Sequence, residues 1–585
     1  MKNRFLFLMV LLCFGGSVVA QTTDSAVELK GLDEFVNRML EEWKVPGVGI
    51  AIVKGDEVVL AKGYGLRDVE AGLPVDENTL FAIGSSSKAF TAATVCMLAD
   101  DGVLSLDEPV LSYLPDFKLY DAYAAQKMTP RDLLSHRSGL PRHDLVWYGS
   151  SKDRAGLYQS LVHLEPTASF RGAWQYQNLM FMTAGYLVER LTGSSWEAFT
   201  KERIFDPLEM TTAGFSVEML ASASNAAAGY GEENEQLKRL PYRNIDAIGP
   251  AGSINASPLE MANWVMAQLN EGKFKDRQVI SAAMVKEMHK PNMIVSNTLA
   301  DEYFFYSLYA MGWFVTDYRG VHMVQHGGNI DGFSAMVALA PDEKFGMVIL
   351  TNKNGTPVPG IIRNHIFDLL SGQEPVNWHE KIQAQVKAAQ LKSQAAATDE
   401  VRVPDTRPSH DLEAYTGNFE HPAYGAIRIE LAGDSLHILH PAIEVGKNTL
   451  EHYHYDMFTV GSGIGKLKAQ FLTGATGQID RMTLPLEAGL DPILFTRKAS
   501  MDFSRFAGEY VLVLGELVTR VSVKDGQLKW AVPGQMEYTL EYVKDNLFSL
   551  KGIPGFTVKF AEEAGNVTGL ESIQPNGTFA AVKKK

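Results

Sequence analysis

At 585 residues the chain is too long for one hydrophobic core, so two to four domains are expected, and its 46% apolar and 21% charged residues are the balance of a compact globular protein. The formal charge of −15 is spread without long blocks of one sign. Its field would repel nucleic acid and anionic lipid, so neither is expected as a partner.

Lys2 and Arg4 precede the apolar run Phe5 to Phe14, and Val18-Val19-Ala20 supplies a small-residue cleavage site before Gln21. Residues 1–20 therefore read as a bacterial secretory signal. The apolar run is roughly half of the ~20 residues that span a bilayer, so cleavage, export to the periplasm or medium and no remaining integral span are expected. Leu12 ahead of Cys13 argues against lipid attachment. Cys96 is then the only cysteine left, which excludes an intramolecular disulfide, and its apolar neighbours Ala92, Ala93, Val95, Met97 and Leu98 predict a buried thiol.

From Glu28 to Asp368 helical periods mix with short strands. Val48–Val53 and Val58–Ala61 flank Lys54-Gly-Asp-Glu57 as a hairpin, and Phe90–Asp101 reads as a buried helix ending near Gly102. Phe333–Leu339 and Gly346–Thr351 form a second hairpin around Pro341-Asp342-Glu343-Lys344. Strands at both ends with helices between them predict an α+β domain, residues 21–372, whose terminal segments share one antiparallel sheet. Residues 373–405 turn rich in Ala, Gln, Lys and Glu and read as a helix followed by a polar linker. Beyond them the pattern is all β, with a repeat spaced about 90 residues apart. Tyr415-Thr-Gly417 corresponds to Phe506-Ala-Gly508, Leu436 to Leu528, Leu450 to Leu540 and Phe458 to Phe548. Two small barrels, residues 406–499 and 500–585, follow from that order.

A serine hydroxyl attacks an acyl carbon only when one group removes its proton and another holds the oxyanion. Ser85-x-x-Lys88 at a helix start puts hydroxyl and amine one turn apart on one face, but the tetrapeptide alone says little. More telling is a series of segments in order: Phe81 to Ala92, Thr129-Pro-Arg-Asp-Leu-Leu-Ser-His-Arg-Ser-Gly-Leu-Pro141, Tyr176-Gln-Asn178, Gly249-Pro-Ala-Gly-Ser-Ile254 and His326-Gly-Gly328. Over residues 30–370 the chain thereby resembles the serine β-lactamase-like and penicillin-binding-like hydrolases, on the side of class C β-lactamases, D-aminopeptidases and esterases. The tandem barrels resemble the lipocalin-like barrels of D-aminopeptidase-like members.

The resemblance implies that Ser85 is the nucleophile, that Lys88 shares its proton, and that Tyr176 is general base for acylation and acid for the leaving group, acting with Lys88 as one unit. It implies that Asn178 bonds Lys88 and the substrate amide, and that His326, Gly327 and Gly328 line the site from a sheet edge. The backbone N–H groups of Ser85 and Asn329 would form the oxyanion hole. Lysine usually occupies the position of His326 in β-lactamases and carboxypeptidases. A mostly neutral histidine would recognise a substrate carboxylate less well, which favours a small peptide, with D-residues included, or an ester as substrate. The alternatives are a β-lactamase, a D-Ala-D-Ala carboxypeptidase or a slowly turning-over penicillin-binding sensor. The barrels could gate the site, recruit envelope material or support homo-oligomerisation. His136 and His143 are expected to be structural, and neither a metal cluster nor a nucleotide loop is apparent, so no cofactor is expected.

Overall fold

The computed structural model describes residues 29–584 except 234–235, 297–301, 397–401, 441–447, 463–464, 499–502, 514, 516, 525–526 and 564. The predicted signal sequence lies outside the described residues. The chain divides into two compact units, one ending at Arg497 and one beginning at Lys498.

A nine-stranded antiparallel sheet organises the first unit. Its order is Met293–Ser296, Phe304–Tyr309, Phe314–Tyr318, Val321–Ile330, Phe333–Ala340, Phe345–Thr351, Gly47–Lys54, Glu57–Asp68 and Leu73–Pro74. The strand Gly47–Lys54 joins the two ends of the α+β region: it pairs with Glu57–Asp68 on one side and, from Val48↔Thr351 to Lys54↔Phe345, with the last strand on the other. It is apolar on both faces because both are covered. Ile50 and Ile52 pack with Val36 of the helix Leu32–Glu42 and Ile361 of the helix Val358–Leu370. Ala51 and Val53 belong to the core on the other side, where the helix Pro258–Leu269 packs on the strand.

Local chemistry fixes these helices. Ser257 and Glu260 form a reciprocal capping box with Pro258 at the first helical position. The Gln177 side chain caps the helix Asn178–Thr192, which ends on Gly193 at φ 74°. The helix Lys88–Asp100 is buried on every side from Lys88 to Leu98, Cys96 included. Among the described residues no helix is long and apolar enough to cross a membrane.

The first closed eight-stranded barrel belongs to the same unit; the pairs Phe419↔Arg497 and Glu420↔Thr496 close it. The second closed barrel, Gly508–Leu512 through Gly577–Lys583, has eight strands and its own core. The sequence repeat reappears as register: Leu436 faces Leu450 in one barrel and Leu528 faces Leu540 in the other. Phe458 and Phe548 fill equivalent core positions.

Candidate active site

Ser85 lies in the 3-10 turn Gly84–Ser87 that leads into the helix Lys88–Asp100, so Ser85 precedes the α-helix and Lys88 opens it. The turn begins with Gly84 at φ 52°, where a Cβ would stand 2.8 Å from the Asn329 nitrogen. Ser87 Oγ donates to Gly84 O at 2.7 Å and accepts from Ile254 N at 3.1 Å. Ser86 Oγ donates to His326 O at 3.0 Å, tying the turn to the strand Val321–Ile330.

Lys88 is fully buried. Its Nζ is 3.0 Å from Ser85 Oγ, 2.8 Å from Asn178 Oδ1 and 2.7 Å from Ala251 O. The last two oxygens can only accept. A neutral amine here gives its two N–H bonds to them and directs its lone pair at the Ser85 hydroxyl. Burial, aided by the Arg142 charge and opposed by Asp144, holds the Lys88 pKa well below the usual lysine value.

Tyr176 completes the triangle. Burial raises its pKa above that of a free tyrosine, against the opposing pull of the Ser85 hydroxyl, so the phenol keeps its proton. Lys88 Nζ stands 4.8 Å from the Tyr176 ring centre and Arg142 Cζ 5.0 Å. His136, a buried residue at φ 55°, stacks its ring 4.1 Å from that of Tyr176 and accepts the Gln177 N–H on Nδ1 at 3.0 Å. It is structural in the sense expected from sequence, but what it supports is Tyr176.

His326 is buried, and its Nδ1 donates to Gly327 O at 2.6 Å. Nε2 therefore accepts from the Tyr309 hydroxyl at 3.0 Å, the arrangement of a neutral imidazole. Burial and the nearby Lys88 push its pKa down to about 3. The His326 strand is fourth in the sheet instead of at an edge, because three further strands, Met293–Ser296, Phe304–Tyr309 and Phe314–Tyr318, are added outside it. Of the two glycines that follow, only Gly328 is sterically required: a Cβ there would lie 1.9 Å from Ile83 O and 3.1 Å from Ser85 N, whereas at Gly327 the nearest atoms are 3.4 Å away. The Asn329 side chain is committed to the scaffold. It accepts from Ser334 Oγ at 2.9 Å and Gly355 N at 2.8 Å and donates to Asn354 Oδ1 at 3.1 Å.

The residues named from sequence thus converge at one end of the sheet, on a cleft of about 210 Å³ lined by Ser85, Asn178 and Asn329 together with Trp147, Tyr148 and Ile248. Sequence reasoning missed Arg142, Asp144, Trp147 and Tyr309. Asp144 accepts from Asn178 Nδ2 at 3.0 Å, Trp147 Nε1 at 2.9 Å and Arg142 Nε at 2.6 Å, so it orients the amide that orients Lys88. Its only advance signal is its place just after the Thr129–Pro141 segment. Asp331, also in the lining, accepts from the Tyr148 hydroxyl at 2.8 Å and from Arg243 Nε at 2.8 Å. The charges facing the cleft are therefore internally paired.

Residues 32–370 match the Beta-lactamase family, and residues 401–498 match a domain of unknown function, DUF3471. An unguisins hydrolase of Aspergillus campestris is 31% identical over 435 residues, covering 70% of this chain and 80% of its own. A second unguisins hydrolase, from Aspergillus violaceofuscus, is 29% identical over 505 residues, covering 79% and 88%. Among solved structures, the octameric penicillin-binding protein homologue from Pyrococcus abyssi is similar in fold, with a TM-score of 0.52 at 21% identity, covering 86% of this chain and 98% of that one.

Proposed function

The chain belongs to the β-lactamase family, and on that premise we propose that it is a serine hydrolase that cleaves peptide or ester bonds through an acyl-enzyme on Ser85. The observation that carries this reading is the buried Lys88 Nζ, held by the acceptor oxygens of Asn178 and Ala251 at 2.8 and 2.7 Å with Ser85 Oγ at 3.0 Å.

In the proposed reaction Lys88 removes the Ser85 proton as Oγ attacks the acyl carbon. The backbone N–H groups of Ser85 and Asn329 hold the oxyanion, which the Gly328 contact with Ile83 and Ser85 allows by bringing the two segments together. Tyr176, kept protonated by burial, gives its proton to the leaving group and recovers it from Lys88. Water then repeats the sequence to release the acid. Asn178 holds Lys88 and binds the acyl amide. The substrate needs no free carboxylate, since His326 is neutral and Arg142 is paired with Asp144. The relatives named as unguisins hydrolases support turnover over mere acyl capture. The same reading has residues 1–20 removed on export, a catalytic domain over residues 21–372, a linker over 373–405 and barrels over 406–499 and 500–585.

The test is hydrolysis of a p-nitrophenyl ester, a D-amino-acid p-nitroanilide and a penicillin by the chain without residues 1–20, compared with Ser85→Ala. Turnover on ester or anilide is expected, with a fall of at least about a thousandfold in the variant. A burst of acylation with no turnover on any of the three would overturn the hydrolase reading in favour of a sensor.

A further inference from the structure

The loop that carries Arg142, Asp144 and Trp147 into the cleft is not held by the catalytic domain alone. Asp144 opens the 3-10 turn Asp144–Val146, and the residue that caps this turn, His143, has φ 47°. A non-glycine residue persists in that conformation when its surroundings over-determine it, and here both ring nitrogens are held. His143 Nε2 donates to Glu165 O at 3.0 Å, an oxygen that can only accept. Burial keeps the ring neutral, with its pKa lowered to about 4, so Nδ1 carries a lone pair and accepts from the Tyr424 hydroxyl at 2.7 Å. Tyr424 stands in the turn between the strands Gly417–His421 and Gly425–Ala432 of the first barrel, within the same compact unit as the cleft. His143 and Tyr424 are both buried, so a bond lost between them is not replaced by water. Two further contacts seat that turn. Lys152 Nζ donates to Pro422 O at 3.1 Å and to Ala423 O at 2.5 Å, and Leu145 of the loop lines an apolar pocket of the barrel with Tyr424, Ile427 and Phe495.

We propose that Tyr424 of the first barrel is a positioning residue for catalysis: its hydroxyl fixes the His143 ring, His143 fixes the start of the turn that presents Asp144, and Asp144 holds the Asn178 amide that aims Lys88 at Ser85. The inference rests on the serine-hydrolase reading above. Each link is short. Tyr424 Oη lies 2.7 Å from His143 Nδ1, one peptide bond joins His143 to Asp144, Asp144 Oδ1 accepts from Asn178 Nδ2 at 3.0 Å, and Asn178 Oδ1 lies 2.8 Å from Lys88 Nζ. The Asn178 amide is one rigid plane, so a shift of Asp144 at its nitrogen end turns the oxygen that holds Lys88 at the other. Trp147 Nε1 and Arg142 Nε also donate to Asp144, at 2.9 and 2.6 Å, but both ride on the same loop and move with it. The His143 ring is where that loop is fastened from outside. Without the Tyr424 hydroxyl, Nδ1 is a buried acceptor with no donor, and the strained backbone at His143 loses one of the two bonds that hold its ring. Tyr424 is not among the residues lining the cleft, so its loss acts on the alignment of Lys88 with Ser85 more than on the binding of substrate.

The experiment measures covalent labelling by a fluorophosphonate, as the rate constant at saturation and the half-saturating concentration, and hydrolysis of p-nitrophenyl acetate. It compares the full chain with Tyr424→Phe, Asp144→Ala, the double variant of these two, and Ser85→Ala. In Tyr424→Phe the labelling rate constant should fall about tenfold while the half-saturating concentration stays within about twofold. The same substitution should cost less than about twofold once Asp144 is alanine, because two residues acting through one relay are not additive. The proposal is overturned if Tyr424→Phe labels at the wild-type rate, if the half-saturating concentration carries the larger share of the change, or if the cost is the same with and without the Asp144 carboxylate. If Tyr424→Phe fails to fold, His143→Asn decides: asparagine tolerates the positive φ but lacks the ring that meets Tyr424. A slower labelling rate constant at unchanged half-saturation then supports the proposal, and wild-type labelling sinks it. Should Ser85→Ala hydrolyse and label as fast as wild type, the hydrolase reading itself has failed. An inert Ser85→Ala beside an unaffected Tyr424→Phe removes only the positioning role.

Discussion

His326 is fixed as a neutral ring from both sides, Nδ1 donating to Gly327 O and Nε2 accepting from Tyr309, so the position that could attract a carboxylate carries no charge. His326→Lys restores that charge. A charge-assisted hydrogen bond contributes about 1.5–3 kcal/mol, so the kcat/KM ratio of penicillin to a neutral ester should rise at least about tenfold. An unchanged ratio would show that the substrate carboxylate never reaches this position. His136 acts on Tyr176 in two ways, through its ring face and through Nδ1 on the Gln177 N–H. His136→Asn keeps an acceptor and tolerates positive φ. It should cost several-fold less in kcat than His136→Phe if the hydrogen bond dominates, and the two kcat values decide. Burial lowers the pKa of His136, His143 and His326 alike, the last two to about 4 and about 3. In each case the unfolded chain takes up the proton first as pH falls through about 6.5, so stability drops from there until the folded form can protonate. The slope is at most about 1.4 kcal/mol per pH unit for each residue. Urea unfolding midpoints at pH 7.5 and pH 5 should differ accordingly, the lower pH giving the lower midpoint.

At the scale of elements, the site depends on two backbones in contact, the Gly84–Ser87 turn and the strand Val321–Ile330. Gly328→Ala would drive a methyl against Ile83 O, forcing the strand off the Ser85 turn; under the proposed mechanism displacement of this kind costs about a hundredfold in rate. Gly327→Ala meets only ordinary contacts and should stay within about threefold, so kinetics of the pair separate steric necessity from mere adjacency. The sequence made the two hairpins, the buried helix and the paired barrels legible, because each declares itself in local periodicity or in the repeat Leu436/Leu528 and Phe458/Phe548. It also brought Ser85, Lys88, Tyr176, Asn178 and His326 together, through the order of their segments. What it hid were groups whose importance lies only in tertiary contact. Asp144 and Tyr309 have ordinary neighbours in the chain. The interior place of the His326 strand was hidden for a related reason, since the three strands outside it carry mixed, half-exposed patterns.

At the scale of the whole molecule, side chains of the first barrel and of the catalytic sheet belong to one continuous core, whereas the second barrel encloses a core of its own. Calorimetry should therefore resolve two transitions, the smaller with an enthalpy of about 60 kcal/mol, appropriate to the unit from Lys498 onward. A single transition would show that the second barrel depends on the rest. The pairing of Gly47–Lys54 with Phe345–Thr351 also sets an order in time. Those strands are separated by roughly three hundred residues, a loop whose closure is slow relative to helix or hairpin formation. The turn bearing Ser85 can form early, but Gly328 and Asn329 reach it only after that closure. Under the proposed mechanism hydrolytic competence is thus acquired late, since the Ser85 turn forms before the backbone that would hold the oxyanion reaches it.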